Sequence, residues 1–236
     1  MSSDSSRPSG PDRQRWRALL SDADASVRLK AALQAGAAVD EALLPLLLNR
    51  CRVEPDFFVR DTLTWAIIQL PASLTVPQLR DELDSPEAQA RSQALHTLSK
   101  IGDPRAWEWV YPDLLSAPDE DVARAAWRVA TATVPAGREM ELAAVLGTQF
   151  GRGEVDMQQS LARAFSALAV RDESIITVVE SATTAGRAGA RAHARATLAV
   201  LRDPGINFRS ALEDALRAAD QVSAEEGSAD QEGSAD

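Results

Sequence analysis

Ala90-Arg91-Ser92-Gln93-Ala94-Leu95-His96-Thr97-Leu98-Ser99-Lys100-Ile101-Gly102-Asp103-Pro104-Arg105-Ala106 holds the pattern on which the whole chain is built. Small or aliphatic residues at Ala90, Ala94, Leu98 and Ile101 fall at spacings that share one face of an α-helix. Gly102, Asp103 and Pro104 then stop that helix and start another. The same order recurs on both sides. An apolar residue, usually followed by Arg, opens a helix at Val27, Val59, Ala90, Val122, Met157 and Ala190, spaced by 31 to 35 residues. Four places on stand Ala31, Leu63, Ala94, Ala126, Leu161 and Ala194. Eight places on stand Ala35, Ile67, Leu98, Ala130, Phe165 and Leu198, and the eleventh places are Ala38, Leu70, Ile101, Thr133, Leu168 and Leu201. Six unrelated helices would not keep both face and period, so the chain is read as a repeat.

Between these helices lie shorter apolar-periodic stretches at Val39–Arg50, Val76–Leu83, Ala106–Leu115, Glu139–Phe150 and Ile175–Thr183. They are punctuated by Pro71, Pro86, Pro104, Pro118, Pro135 and Gly151-Arg152-Gly153. Asp103-Pro104 and Asp203-Pro204 read as helix starts, Asp capping and Pro in the first turn. No window alternates β-branched residues. The expectation is an all-α solenoid of about six helix pairs over residues 12–220, curved and right-handed, with capping helices at Asp12–Ser21 and Asn207–Asp220. One pair buries too little apolar surface to stand alone, and stacking supplies the rest.

Residues 1–11 and 221–236 are expected to lie outside that body as disordered segments. Six acids and no base fall between Asp220 and Asp236, where Glu-Gly-Ser-Ala-Asp is written twice. With both ends set aside, the net charge of −10 shrinks to near neutrality in the body, and all but Lys30 and Lys100 of the 25 basic residues are Arg. Such a body does not suit a sequence-blind nucleic-acid binder. No apolar run is long enough to cross a membrane, and the first residues contain no secretory core. A single Cys51 builds no disulfide framework and fits a reducing, cytoplasmic setting.

The apolar–Arg pairs Val27-Arg28, Val59-Arg60 and Ala90-Arg91, with Leu98 to Ala106 after the last, resemble the second helix and turn of HEAT and HEAT-like repeats. Asp22, six residues before Arg28, resembles the turn acid that pairs with the Arg in that family. The resemblance covers residues 12–220 and departs from the pattern at Ala123 and Gln158, which replace the Arg. It implies a helical scaffold for other proteins, although some HEAT-like members are DNA glycosylases or lyases.

No Gly-rich phosphate loop, nucleophile elbow or zinc-binding helix motif is present, and His96, His193 and Cys51 form no metal-ligand spacing. Both imidazoles are expected at the surface and the thiol half-buried. Arg28, Arg60, Arg91 and Arg191 are read as structural, reaching carboxylates and carbonyls of the neighbouring repeat. Phe57-Phe58 is read as packing between repeats, and Trp16, Trp107, Trp109 and Trp127 as core filling. Trp65 is different, because six places into each repeat stand Leu33, Trp65, His96, Arg128, Arg163 and Ala196, away from the core face. Trp65, His96, Arg128 and Arg163 are therefore the candidate partner-binding residues, since aromatics and Arg dominate interface hot spots. The sequence supports a non-catalytic scaffold binding a helix or extended peptide of another protein, without a cofactor. The alternatives are a glycosylase-like nucleic-acid enzyme, for which Trp65 with Asp61 is the one hint, and a lyase or small-ligand chaperone.

Overall fold

The computed structural model describes residues 10–110 and 112–232, with side chains from 12 to 221 apart from position 111. All regular structure among these residues is helical, and no described helix is long and apolar enough to cross a membrane. The chain divides into two compact units, Met1–Thr133 and Val134–Asp236, where the sequence suggested one continuous body. The division falls in the longest repeat interval, where Val134 and Pro135 end a helix and Gly137 takes a φ of 84°.

The first unit begins with α1 (Gly10–Leu20), α2 (Ala25–Ala38), α3 (Leu44–Val53) and α4 (Phe57–Ile68). It continues with α5 (Ala72–Glu82), α6 (Ala88–Ile101), α7 (Ala106–Val110) and α8 (Glu120–Thr133). The recurring helices α2, α4, α6 and α8 stack in that order, with α3, α5 and α7 as partners. Their starts are set by Asp caps that accept backbone N–H groups left free by the helix: Asp24 from Ser26, Asp56 from Val59 and Asp119 from Val122. Asp103 caps a tight turn through the N–H of Arg105, and α7 opens only at Ala106. In α5, which begins four residues before the expected Val76, the exposed Pro77 sits inside the helix.

The second unit holds α9 (Glu139–Gly147), α10 (Val155–Arg171), α11 (Ile176–Ala182), α12 (Ala188–Arg202) and α13 (Phe208–Glu232). Here α12 packs on α10, α11 and α13. Asp203 again closes a turn, on the N–H of Gly205, while Asn207 caps α13 through the N–H of Ser210. Helix α13 runs to Glu232, past the point where the sequence suggested a disordered tail from 221. Ala, Glu and Gln favour helix intrinsically even where no apolar anchor is present. Residues 1–9, expected to be disordered, and 233–236 lie outside the described residues.

All six fourth-place residues, Ala31, Leu63, Ala94, Ala126, Leu161 and Ala194, are buried. So are Ile67, Leu98, Ala130 and Phe165 at the eighth places, which fixes the register of the recurring helices within each unit. Burying a Leu, Ile or Phe contributes about 1.5–3 kcal/mol, whereas Ala contributes mainly the close approach of neighbouring helices.

Candidate functional site

The recurring Arg side chains are consumed by the fold, as expected, and Arg28 reaches a carboxylate of the neighbouring turn, but the carbonyls they take are local. Each turns back to the loop entering its own helix. Arg60 Nη1 donates to the carbonyls of Glu54 and Pro55, Arg91 Nη1 to those of Ser85 and Pro86, and Arg191 Nη1 to that of Gly186. Gln158, in the same place, donates to the carbonyl of Gly153, so it keeps the lock without the charge. Arg28 donates to the carbonyls of Asp22 and Ala23, not to the Asp22 carboxylate, and forks onto Glu54 at 2.8 and 2.7 Å. Glu54 is fully buried and also accepts from Arg50 and from the N–H of Asp56. Burial opposes its charge, yet the bonds from Arg28, Asp56 and Arg50 outweigh it and hold the carboxyl down at about 2.

Two chemically capable groups are likewise spent on packing. Cys51 is buried, and desolvation pushes its thiol up to about 12, far from a nucleophilic thiolate. His193, expected at the surface, is fully buried in the second unit. Its Nδ1 accepts the N–H of Gly151 at 3.0 Å and its Nε2 lies 2.9 Å from the carbonyl of Gln158, which selects the neutral Nε2–H form. Phe150 and Phe208 meet the imidazole edge-to-face, and Phe165 stacks on Phe150. Burial lowers this imidazole to about 4. Gly151 is required at the contact, because at φ 79° a Cβ there would lie 2.9 Å from the backbone of Ala190. Neither His nor Cys, nor any Asp or Glu, belongs to a cluster of three or more metal-capable groups among the described residues.

The four candidate residues divide between the units. Trp65, His96 and Arg128 lie on the successive helices α4, α6 and α8 of the first, and Arg163 on α10 of the second. Trp65 remains 39% exposed, with one edge of its ring over Gly36 of α2, where a Cβ would lie 2.2 Å from the ring. His96 is half-buried, and its Nε2 stands 3.9 Å from Asp61 Oδ1. Burial first, and then the charges of Arg128 and Lys100, lower this imidazole to about 4, while Asp61 pulls the other way. Arg128 and Arg163 are exposed, whereas Ala196, six places into the last repeat, is buried and ends the pattern.

The sequence reading missed the neighbours of Trp65. Phe57 and Phe58, expected between repeats, are 65% and 71% exposed and meet edge-to-face at 5.6 Å. Phe58, Trp65 and Ile68 are all exposed and sit at i, i+7 and i+10 on α4, one face of a helix. That spacing was legible but was assigned to packing. Trp107 and Trp127 are core as expected, Trp127 Nε1 donating to the carbonyl of Leu115.

In the second unit, Arg163 borders an open cleft of about 350 Å³ formed with Gln159, Ser166, Val200, Ile206 and Phe208.

The sequence matches no family model and no curated protein. Among solved structures the chain is similar to an engineered protein, at 16% identity over 82% of this chain and 98% of that one, with a TM-score of 0.42. It is also similar to a designed armadillo repeat protein, at 13% identity over 79% of this chain and 98% of that one, with a TM-score of 0.43.

Proposed function

We propose that this chain is a non-catalytic scaffold of the HEAT-like kind. Its first unit would bind a helix or extended peptide of a partner protein along the outward face of α4, with Trp65, His96 and Arg128 as anchors. The observation that carries this reading is the exposed apolar line Phe58–Trp65–Ile68 on a helix whose opposite face is fully buried. Exposed aromatics aligned on one rigid helix form the sort of patch that marks interaction sites. Asp61 supplies a polar group on the line and His96 of α6 stands 3.9 Å from it, which suits a peptide with apolar residues on one face and polar ones beside them. Cys51 is buried, and His193 is buried and hydrogen-bonded into the fold.

Capture from cell extract, identification by mass spectrometry and reconstitution from purified components test the reading. The intact chain is expected to bind a defined protein. A Phe58→Ala/Trp65→Ala variant should weaken that purified interaction at least tenfold, with an unchanged helical spectrum. Equal binding by this variant would overturn the α4 assignment.

A further inference from the structure

Arg163 lies in the second unit, where the cleft beside it is independent of the α4 face. The cleft opens between α10, the end of α12 and the start of α13, and its volume of about 350 Å³ is at the small end of ligand-binding clefts. Ala162, Val200, Ile206 and Phe208 give it apolar walls, and Ala162 and Phe208 belong to the tightly packed cluster with Ala196 and Leu212. Val200 packs against the same cluster, so most of the wall is rigid.

The polar groups are lopsided. In a chain with 35 acidic residues, no carboxylate lines this cleft, and Arg163 is its one charge. Among the described residues the side chains of Arg163 and Gln159 have no hydrogen-bonding or ionic partner. Asn207 uses its Oδ1 to accept the N–H of Ser210, which leaves its NH₂ as a donor. Ser166 gives its proton to the carbonyl of Ala162. The nearby acids are engaged elsewhere, Asp203 on the N–H of Gly205 and Asp156 with Arg209. Three side chains can thus donate into the cleft, one of them a guanidinium whose planar fork matches a carboxylate.

We propose that this cleft binds a short branched aliphatic carboxylate, its carboxylate on Arg163, Gln159 and Asn207 and its alkyl group against Val200, Ile206 and Phe208. The apolar walls select for the alkyl group and the fork for a planar anion, so an anion without an alkyl body gains only half of the site.

Titration of the isotopically labelled full chain with 4-methylpentanoate, followed by NMR, tests this. Saturable shifts are expected at the Arg163 side chain and the backbone of residues 205–208. The uncharged 4-methylpentanamide and inorganic phosphate should each bind at least tenfold more weakly, and Arg163→Gln should cost the carboxylate a similar factor with the helical spectrum unchanged. Equal binding of the amide or of phosphate, shifts scattered over unrelated Arg residues, or full affinity in Arg163→Gln would overturn the proposal.

Discussion

The two units fasten the centres of their helix stacks by different means. Residues 12–133 use charge: Arg28, Arg50 and Glu54 form a buried triad, Arg52 forks onto Glu82, and Arg60 and Arg91 cover the carbonyls that end the preceding segments. In residues 134–221 neutral groups hold the centre, with His193 bridging Gly151 and Gln158 and Gln158 in the place of an Arg, while charge serves at the edges, Arg171 on Glu139 and Arg191 on the carbonyl of Gly186. A buried ion pair fails when one partner is removed, because the other is left charged without water. A buried neutral His fails when it gains a proton, because Nδ1 can then no longer accept. The same repeat pattern thus produces two units with different weaknesses.

The largest expected effect is in the first unit. Glu54→Gln leaves Arg28 buried without a countercharge and should cost about 3–5 kcal/mol. All five Trp lie between residues 16 and 127, so urea unfolding followed by Trp fluorescence reads this unit alone. An unchanged midpoint would show that the triad is dispensable.

Acid should reverse the order of failure. His193 has its imidazole lowered from 6.5 to about 4, so the unfolded chain takes up the proton first. Its contribution, up to about 3 kcal/mol, is complete above pH 6.5 and is lost as the pH falls toward 4. The Glu54 contribution, with its carboxyl lowered from 4.5 to about 2, is complete above pH 4.5 and is lost only below it. His96 shifts in the same direction as His193, so a His96→Gln background isolates the second unit. In that background, helix content by circular dichroism should fall before Trp fluorescence changes as the pH drops from 6.5 to 4.5. Simultaneous loss would break the comparison.

The turn locks give the smallest effect. Arg60→Ala, which removes a charged donor from two carbonyls, should cost about 1.5–3 kcal/mol, and Gln158→Ala about 0.5–1.5 kcal/mol. Equal losses in urea unfolding would mean that the charge adds nothing.

The repeat helices were legible because burial at every fourth-place residue writes itself into the sequence as Ala or Leu. His193 was not, since its partner Gly151 lies 42 residues away and a lone imidazole in an Ala-rich helix looks like surface. The break at Thr133 was visible only as a longer interval, because local spacing says little about which helices pack. Phe57-Phe58 was misassigned for a related reason: apolar residues at a helix start fit a core or an exposed face equally well, and only the packing of α4 decides. Of the candidate residues, Trp65, His96 and Arg128 fall on consecutive stacked helices because one offset was read across a correct register. Their role as partner anchors rests on the exposed line beside them.

Amide hydrogen exchange, measured on the intact chain with and without its reconstituted partner, tests that role most directly. Slowed exchange centred on residues 57–69, with lesser protection near His96 and Arg128, is the result expected of a partner laid along α4. Protection confined to other segments, with α4 unchanged, would contradict it.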